Sequence, residues 1–375
     1  MGLADHWIEK PLGEVVTFQR GFDLPHRLRK PGSVPVVSSA GSTDLHATGM
    51  AFPPGVVTGR YGTIGEVFFL DVPFWPLNTT LFVRDFHAND PRFVYYMLQR
   101  FDFHTFSGKS GVPGVNRNEL HREPVAIPIG ESEQRAIAEA LSDVDRLLGG
   151  LDRLISKKRD LKQAVMQQLL TGQTRLPGFS GDWVVSTVGR EFEIELGKML
   201  DSERNVGIPK PYLGNKAVQW GRIDVTDLQT VPMSPDDIVK YRLVKGDLLV
   251  CEGGEVGRAA IWDEPLDECY YQKALHRLRP RRSFNSRFLA ALLMHWAERG
   301  ALTNYVTQTS IAHLPRDKLL EVPLPMPSDA EQSAIVAVLS DLDTELTAIE
   351  ARRDKTRALK QAMMQELLTG RTRLV

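Results

Sequence analysis

Several short stretches carry residues that could do chemistry, but each lacks a residue that the chemistry needs. "FSGKSG" at residues 106–111 resembles a phosphate-binding loop, yet Phe103 stands where that loop needs its first glycine. The same stretch has Ser110 where an FxGxG methyl-donor loop needs glycine. "FPPG" at 52–55 lacks the Asn or Asp that would hold a target amino group. These near-misses favour a chain that does no chemistry itself.

Metal and covalent chemistry are supported no better. Cys251 and Cys269 match no CxxC or zinc-ligand spacing, and no HExxH occurs. "PDDIVK" at 235–240 is similar to a nuclease core but has no acidic-x-Lys partner at a sensible spacing. We therefore expect no catalytic residue, no metal and no cofactor. Two unpaired cysteines and the lack of an 18-residue apolar run predict a cytoplasmic protein outside the membrane.

The composition is that of an ordinary globular protein. The 375 residues suit two or three domains, with 42% hydrophobic and 25% charged residues. The formal net charge is -1, so no overall basic excess points to nucleic acid. Any nucleic-acid surface must therefore be a local patch.

The elements that would position a functional site occur twice. "LKQAVMQQLLTGQTRL" at 161–176 returns as "LKQAMMQELLTGRTRL" at 359–374. Sliding the chain by 198 aligns residues 133–176 with 331–374, and 24 of the 44 positions are identical. Fainter echoes, such as "GTIG" at 62–65 and "GEVG" at 254–257, extend through the remainder. The chain therefore resembles a tandem duplication.

The well-matched segments are predicted to be long helices. Apolar residues with alternating spacings of four and three predict a coiled-coil seam, which is formed by Ile137, Leu141, Val144, Leu148, Leu151 and Ile155, and again by Ile335, Leu339, Leu342, Leu346 and Ile349. Ser328 and Glu331 form a plausible capping box, and Gly172 and Gly370 stand where a glycine ends a helix. Gly149-Gly150 interrupts the first helix, which we nevertheless expect to be continuous. About 39 residues would form a rod of roughly 58 Å.

These features predict an α+β protein of four parts. The parts are a mixed α/β domain over 1–131, a long helix over 132–176, a second mixed domain over 177–329 and a second long helix over 330–375. We expect the helices to pair antiparallel and to relate the two domains by a pseudo-two-fold axis.

This order of domain and helix resembles the specificity subunit of type I restriction–modification systems. The paired sixteen-residue segments carry the likeness, together with the "EQ" helix openings at 133–134 and 331–332 and the glycine turns "GRYGTIG" and "CEGGEVG". The resemblance implies that each domain is a target recognition domain that reads one half of a split DNA sequence. It also implies that the helices bind two modification (methyltransferase) subunits, which restriction subunits can join.

Such a duplicated protein suits two half-sites about one DNA turn, roughly 34–36 Å, apart. Because the two domains differ in sequence, the target should be asymmetric. Methyl transfer and cleavage would belong to the partners. The alternative is a coiled-coil scaffold or adaptor without DNA recognition, which would explain the helices and the near-neutral charge.

Candidate DNA contacts lie in loops and basic runs, whose side chains suit base edges or phosphates. The loop candidates are Arg60, Tyr61, Lys109 and Ser110 in the first domain and Gln308 and Thr309 in the second. The basic runs comprise Arg20, Arg27, Arg29 and Lys30, and then Arg277, Arg279, Arg281 and Arg282. Solvated loops and faces are the simpler interpretation of all of these residues.

Apolar residues off the predicted seam are candidates for binding the modification subunits. They are Leu147, Leu154, Met166 and Met364. Packing within the chain is an equally good explanation for them.

Overall fold

The computed structural model describes residues 6–106, 114–201, 203, 205–308 and 312–374. The chain divides into two compact units. The first comprises Met1–Leu154 with Ile349–Val375, and the second is Ile155–Ala348. Each unit thus contains one mixed domain and parts of both long helices.

The first unit is built on short strands, because its β-branched and aromatic residues lie between glycine and proline turns. The strands are β1 (Trp7–Pro11), β2 (Thr17–Arg20), β3 (Val34–Ser38), β4 (Gly41–His46), β5 (Gly55–Gly59), β6 (Val67–Leu70), β7 (Trp75–Pro76), β8 (Thr80–Asp85) and β9 (Pro124–Pro128). The helices are α1 (Leu12–Val15), α2 (Pro91–Leu98), α3 (Arg117–Leu120) and the first long helix, α4 (Glu131–Leu170).

Three sheets organise these strands. A four-stranded antiparallel sheet has the order β2-β8-β5-β6, a three-stranded sheet has the order β4-β3-β7, and β1 pairs with β9. Phe18, Val56 and Leu81 on the large sheet are buried with Phe93 of α2 and Ile137 of α4 in one core. The start of α4 is therefore an integral part of the first unit.

The second unit repeats this plan. Its strands are β10 (Val184–Thr187), β11 (Phe192–Leu196), β12 (Ile208–Leu213), β13 (Val218–Gln219), β14 (Arg222–Ile223), β15 (Gln229–Met233), β16 (Leu248–Cys251), β17 (Ala259–Ile261), β18 (Tyr270–Tyr271), β19 (Leu275–Pro280), β20 (Thr307–Gln308), β21 (Ala312–His313) and β22 (Pro323–Met326). Its helices are α5 (Val188–Glu191), α6 (Pro235–Tyr241), α7 (Ser286–Glu298), α8 (Arg316–Glu321) and the second long helix, α9 (Asp329–Leu367).

The sheet orders β11-β19-β16-β17, β15-β12-β18 and β10-β22 match those of the first unit strand for strand. The parallel pairing of β12 with β18 matches that of β3 with β7. The tandem duplication predicted from the faint echoes is therefore present in the topology. The β13–β14 hairpin and α6 have no counterpart among the described elements of the first unit.

Both long helices are continuous, and α4 runs through Gly149-Gly150 as predicted. Within the first unit, Lys360 of α9 pairs with Asp145 of α4 at 2.8 Å. Within the second, Lys162 of α4 pairs with Asp343 of α9. The two ion pairs are equivalent, because Lys162 aligns with Lys360 and Asp145 with Asp343 in the repeat. The lysine is on α9 in the first unit and on α4 in the second. In each unit the helix segments run antiparallel, because rising numbers on one helix meet falling numbers on the other.

The predicted seam is buried in the folded chain. Ile137, Leu141, Leu151 and Ile155 on α4, and Ile335, Leu339 and Leu346 on α9, are at most 9% exposed. Val144, Leu148, Leu342 and Ile349 are partly buried. The apolar spacing thus predicted the buried face of both helices.

Each long helix begins with a Glu–Gln pair that ties it to its unit. Glu133 is 4% exposed and accepts from Arg373 at 3.0 and 3.1 Å, and Glu331 is 1% exposed and accepts from Arg175 at 2.6 Å. The arginines come from the "TR" that ends the sixteen-residue repeat. Half of the predicted capping box forms, since Ser328 Oγ accepts from the Glu331 N–H at 3.3 Å while the Glu331 carboxylate binds Arg175 instead.

The glutamines act beside these carboxylates. Gln134 Oε1 accepts from the Asp90 N–H at 2.9 Å, and Gln332 Oε1 accepts from the Asn285 N–H at 2.8 Å. Asp90 and Asn285 are the N-caps of α2 and α7. The repeated segments therefore bind the two mixed domains in the same way. No helix among the described residues is long and apolar enough to cross a bilayer.

Candidate nucleic-acid interface

In the first unit, the glycine turn at residues 59–65 contacts the segment that begins at Gly114. Tyr61 forms a backbone bridge to Gly114, and the Val115 N–H donates to the Arg60 carbonyl at 2.9 Å. A Cβ at Gly114 would lie 2.1 Å from the Tyr61 ring, so only glycine allows this approach. The turn thus holds Gly114 and Val115 in place.

Arg60 and Tyr61 form a compact pair on this turn. The Arg60 guanidinium lies 4.5 Å from the centre of the Tyr61 ring, and Tyr61 is 37% exposed. Both backbone N–H groups donate to the Thr79 carbonyl, at 2.8 and 3.1 Å. A cation stacked on an exposed ring has the chemistry to contact phosphate and sugar.

Arg20 is connected to this turn through residues 77–79, which join β7 to β8. Arg20 forms an exposed ion pair with Asp23 at 3.4 Å, and Asn78 in the loop also donates to Asp23. The structure therefore groups Arg20, Asn78, Arg60 and Tyr61. The sequence interpretation missed Asn78, which lies between β7 and β8.

The rest of the first basic run lies elsewhere on the same domain. Arg27 is exposed on a 3-10 turn at His26–Leu28. Arg29 pairs with Asp44 at 2.8 Å, and Lys30 donates its backbone N–H to His46. The Arg29 hydrogen bond holds the pKa of Asp44 below its usual value. Arg29 therefore has a structural partner, whereas Arg27 is open to solvent.

Lys109, Ser110 and Thr309 lie outside the described residues. Gln308 is described by its backbone alone, which pairs with Ala312 in β20–β21. These four residues stay candidates on the strength of their sequence.

The second unit has the same backbone contact between its glycine turn and a later segment, with different side chains. We call this contact, Tyr61 with Gly114 and Gly253 with His313, the junction. Gly253 bridges His313, and the Leu314 N–H donates to the Glu252 carbonyl at 2.6 Å. The Glu252 N–H donates to Ala274 as the Arg60 N–H does to Thr79. Where the first unit presents Arg60 and Tyr61, the second therefore presents Glu252 and Gly253.

The second basic run is largely used by the fold. Arg277 and Arg279 lie on β19, whose first residue, Leu275, pairs with Cys251 beside the glycine turn at 251–257. Arg279 is four residues further along, about 13 Å from that turn. The phosphate patch at this run stays a prediction, although the structure gives Arg277, Arg279 and Arg281 contacts within the fold.

These contacts are specific. Arg279 binds both oxygens of Asp247, at 2.6 and 2.9 Å, and that carboxylate is 1% exposed. The bond to Asp247 raises the pKa of Arg279. Arg277 is 3% exposed and pairs with Glu193 at 3.2 Å, while Arg281 donates to the Phe192 carbonyl at 3.2 Å. Arg282 is exposed.

Lysines near the second junction were missed by the sequence interpretation. Lys273 is exposed and lies between β18 and β19, in the loop that corresponds to the one between β7 and β8. Its N–H donates to the Lys198 carbonyl. Lys216 is exposed in the β12–β15 connection, beside Gln272. Aligning "YYQKA" at 270–274 with "WPLNT" at 75–79 places Lys273 opposite Asn78 and would have pointed to it.

The proposed partner-binding residues on the long helices fall into two groups. Leu147 and Leu154 on α4 are 42% and 41% exposed and lie on one face, seven residues apart. Met166 is 4% exposed in the core of the second unit, and Met364 packs against the core of the first. Met166 is therefore taken up by the core, whereas Met364 is only partly buried and stays a candidate for partner binding.

The structure adds a matched pair of leucines. Leu161 and Leu359 open the two copies of the sixteen-residue repeat and are 46% and 55% exposed. Their identical placement in both copies was visible in the alignment, but their exposure was not. No group of three or more His, Cys, Asp or Glu side chains that could hold a metal occurs among the described residues.

Comparison with known proteins agrees with this architecture. A family described as "Type I restriction modification DNA specificity domain" matches residues 4–156 and 180–357. The MjaVIII specificity subunit, a type I restriction enzyme subunit of Methanocaldococcus jannaschii, is 24% identical over 283 residues, which cover 71% of this chain and 66% of that relative.

Solved structures share the fold over nearly the whole chain. The S subunit of a type I restriction–modification system from M. genitalium has a TM-score of 0.65 and 18% identity, with 98% of both chains covered. The HsdS subunit from Thermoanaerobacter tengcongensis has a TM-score of 0.54 and 17% identity, covering 99% of this chain and 98% of that one. The two family matches together span most of the sequence, and the chain belongs to the specificity subunits of type I restriction–modification systems.

Proposed function

We propose that this chain recognises an asymmetric, bipartite DNA target and positions modification subunits, and through them restriction subunits, on that target. Each mixed domain reads one half-site. The long helices set the spacer between the half-sites and bind the modification subunits. This function is the one expected of a type I specificity subunit whose two domains have diverged.

One observation carries the proposal. The two units keep the same backbone junction, Tyr61 with Gly114 and Gly253 with His313, while the side chains at the junction differ. A structural role alone would favour keeping the side chains as well as the backbone. A shared frame with different side chains suits two domains that contact two different sequences.

The long helices support the second half of the proposal. The repeated positions include the buried glutamates that pair with Arg373 and Arg175 in the two units, an arrangement that we call the clamps. They also include the exposed Leu161 and Leu359. Exposed apolar side chains at equivalent places suit two copies of one partner. Leu147 and Leu154 extend the apolar surface on α4.

We assign no chemical step to this chain. The near-motifs for nucleotide, methyl-donor and metal binding each lack a required residue. The two cysteines are buried, and burial raises the pKa of both thiols, which suits a packing role. Methyl transfer and cleavage are assigned to the partner subunits.

The test is binding of the chain, assembled with its modification subunit, to mixed-sequence duplex at rising salt. A DNA reader loses log affinity linearly with log salt, with a slope of about -0.9 for each phosphate contacted. Sequencing methylated positions in cells that express the complex then identifies the target. The expected motif has two different half-sites separated by a fixed spacer.

The scaffold alternative predicts a different result. A coiled-coil adaptor would assemble with its partners but show no salt-dependent affinity of its own for duplex. Unchanged duplex binding when this chain is omitted from the complex would overturn the proposed function.

A further inference from the structure

The connection between β12 and β15 sets the second unit apart from the first. In the first unit, β3 passes directly to β4 through Ser39 and Ala40. In the second, residues 214–228 stand in that place and include the β13–β14 hairpin with Trp220 and Gly221 at its tip. Gly221 has a φ of +69°, which suits a tight hairpin turn. We name residues 214–228 the inserted hairpin.

The inserted hairpin is fastened to the glycine turn of the second unit. Asn215 Nδ2 donates to the Gly253 carbonyl at 3.0 Å, and Trp220 Nε1 donates to Glu255. Arg258, at the end of that turn, donates to the Asn215 carbonyl at 2.9 Å. Its base therefore lies on the same turn that supports β21 through Gly253 and His313.

A groove joins the hairpin tip to the candidate interface. Its volume is about 590 Å³, and its walls include Trp220, Glu255, Val306 and Ala312. Val306 precedes β20, and Ala312 is the first residue of β21. The hairpin tip thus lies on the side of the domain where β20 pairs with β21.

The hairpin carries what the second junction lacks. Glu252 and Gly253 replace the cation and aromatic ring of Arg60 and Tyr61, so the turn itself has neither. The hairpin contributes Trp220 and two exposed cations, Lys216 and Arg222. Neither cation has a side-chain hydrogen bond or salt bridge to another described residue.

The alternation of side chains along β13 and β14 places Arg222 on the face opposite the buried side chains. Val218 is buried and is paired with Ile223, whereas Gln219 and Arg222 form the adjacent pair on the opposite face. Asp224, two residues after Arg222, accepts from the N–H and hydroxyl of Thr226. These contacts, and to a smaller extent the charge of Arg222, lower the pKa of Asp224.

We infer that the inserted hairpin is a DNA-contacting element of the second unit, in which Lys216 and Arg222 bind backbone phosphates of the second half-site. Trp220 is a positioning residue that fastens the hairpin to the glycine turn. The hairpin takes over the contacts that Arg60 and Tyr61 supply in the first unit. This inference rests on the proposed function and specifies which residues perform it in one half of the chain.

The test compares two variants with the same loss of charge. The first is K216Q/R222Q. The control is R190Q/K245Q, which removes one exposed arginine and one exposed lysine from the same unit. Arg190 precedes β11 and Lys245 precedes β16, at the ends of these strands away from the glycine turn. Both variants are assembled with the modification subunit and titrated with the cognate duplex at salt concentrations from about 0.05 to about 0.2 M.

For K216Q/R222Q we expect about tenfold weaker binding and a salt slope smaller by about two, one for each phosphate contact. The control should keep the wild-type slope. A K216Q/R222Q complex with the affinity and slope of the control would overturn the inference while leaving the proposed function in place. Loss of the proposed function has a separate signature, since the wild-type complex itself would then show no salt-dependent binding.

Discussion

Replacing Arg279 distinguishes a DNA contact from a structural contact at a residue where sequence and structure point to different roles. Its guanidinium binds both oxygens of Asp247, which is 1% exposed, and also donates to the Arg242 carbonyl at 3.0 Å. Arg279→Gln would leave a buried carboxylate without its cation. We therefore expect the variant to destabilise the second unit.

The size of the effect follows from burial. Removing one partner of a buried ion pair costs about 3–5 kcal/mol. The Val244 N–H still donates to Asp247 at 2.9 Å, and Arg279 is 33% exposed, so water can reach the site. Both facts reduce the cost, and about 3 kcal/mol is a reasonable expectation. For a unit of this size that corresponds to a fall of about 6–12 °C in melting temperature.

The assay is thermal unfolding followed by circular dichroism, with R282Q as a matched control that removes an exposed arginine nearby. The control should stay within about 0.5 kcal/mol of wild type. Arg279→Lys should fall between the two, because lysine keeps the charge but lacks the two-pronged geometry. A normal melting temperature for R279Q, combined with a smaller salt slope for duplex binding, would refute the structural assignment and restore the phosphate contact.

Three further predictions concern pH, the spacer and the partner surface. Burial lowers the pKa of His276, whose Nε2 donates to the Leu314 carbonyl at 2.9 Å. The unfolded chain takes up a proton near pH 6.5 but the folded chain resists it, so the free energy of unfolding should fall as the pH falls from about 7 to 5. His276→Gln should reduce this loss, as measured by melting at different pH values. Inserting four residues beside Gly149-Gly150 adds about 6 Å to α4 and should lengthen the spacer in methylation maps without changing either half-site, and an unchanged spacer in an intact complex would exclude the helices as its ruler. Changing Leu161 and Leu359 together to Asp should weaken binding of the modification subunit more than tenfold in calorimetry, whereas the matched change to Met should not; equal binding by both would remove these leucines from the partner surface.

The two long helices were predicted well from the sequence, because a heptad pattern is local and repeated. Buried Ile137, Leu141 and Ile335 fall where the spacing put them. The clamps between Glu133 and Arg373 and between Glu331 and Arg175 could not be predicted from spacing. Each joins residues far apart in sequence, and their partnership depends on which helix ends meet.

The recognition domains were predicted as mixed α/β but without a strand order. Their pairings, such as β2 with β8, link distant segments, and short glycine-rich strands leave many alternatives open. The same limit affected the candidate site. Arg60 and Arg279 look alike in sequence, and only the burial of Asp247 distinguishes a guanidinium group used by the fold from one open to solvent.

The division of the chain has a consequence for the order in which the protein matures during synthesis. The second unit is contiguous from Ile155 to Ala348, whereas the first needs the segment that begins at Ile349 to complete its core, through Leu367 and Leu368. Domains usually fold as they emerge, the earliest first. Here the ribosome must translate the later domain before the earlier one can close, so the nascent first domain should depend on chaperones until Arg373 reaches Glu133.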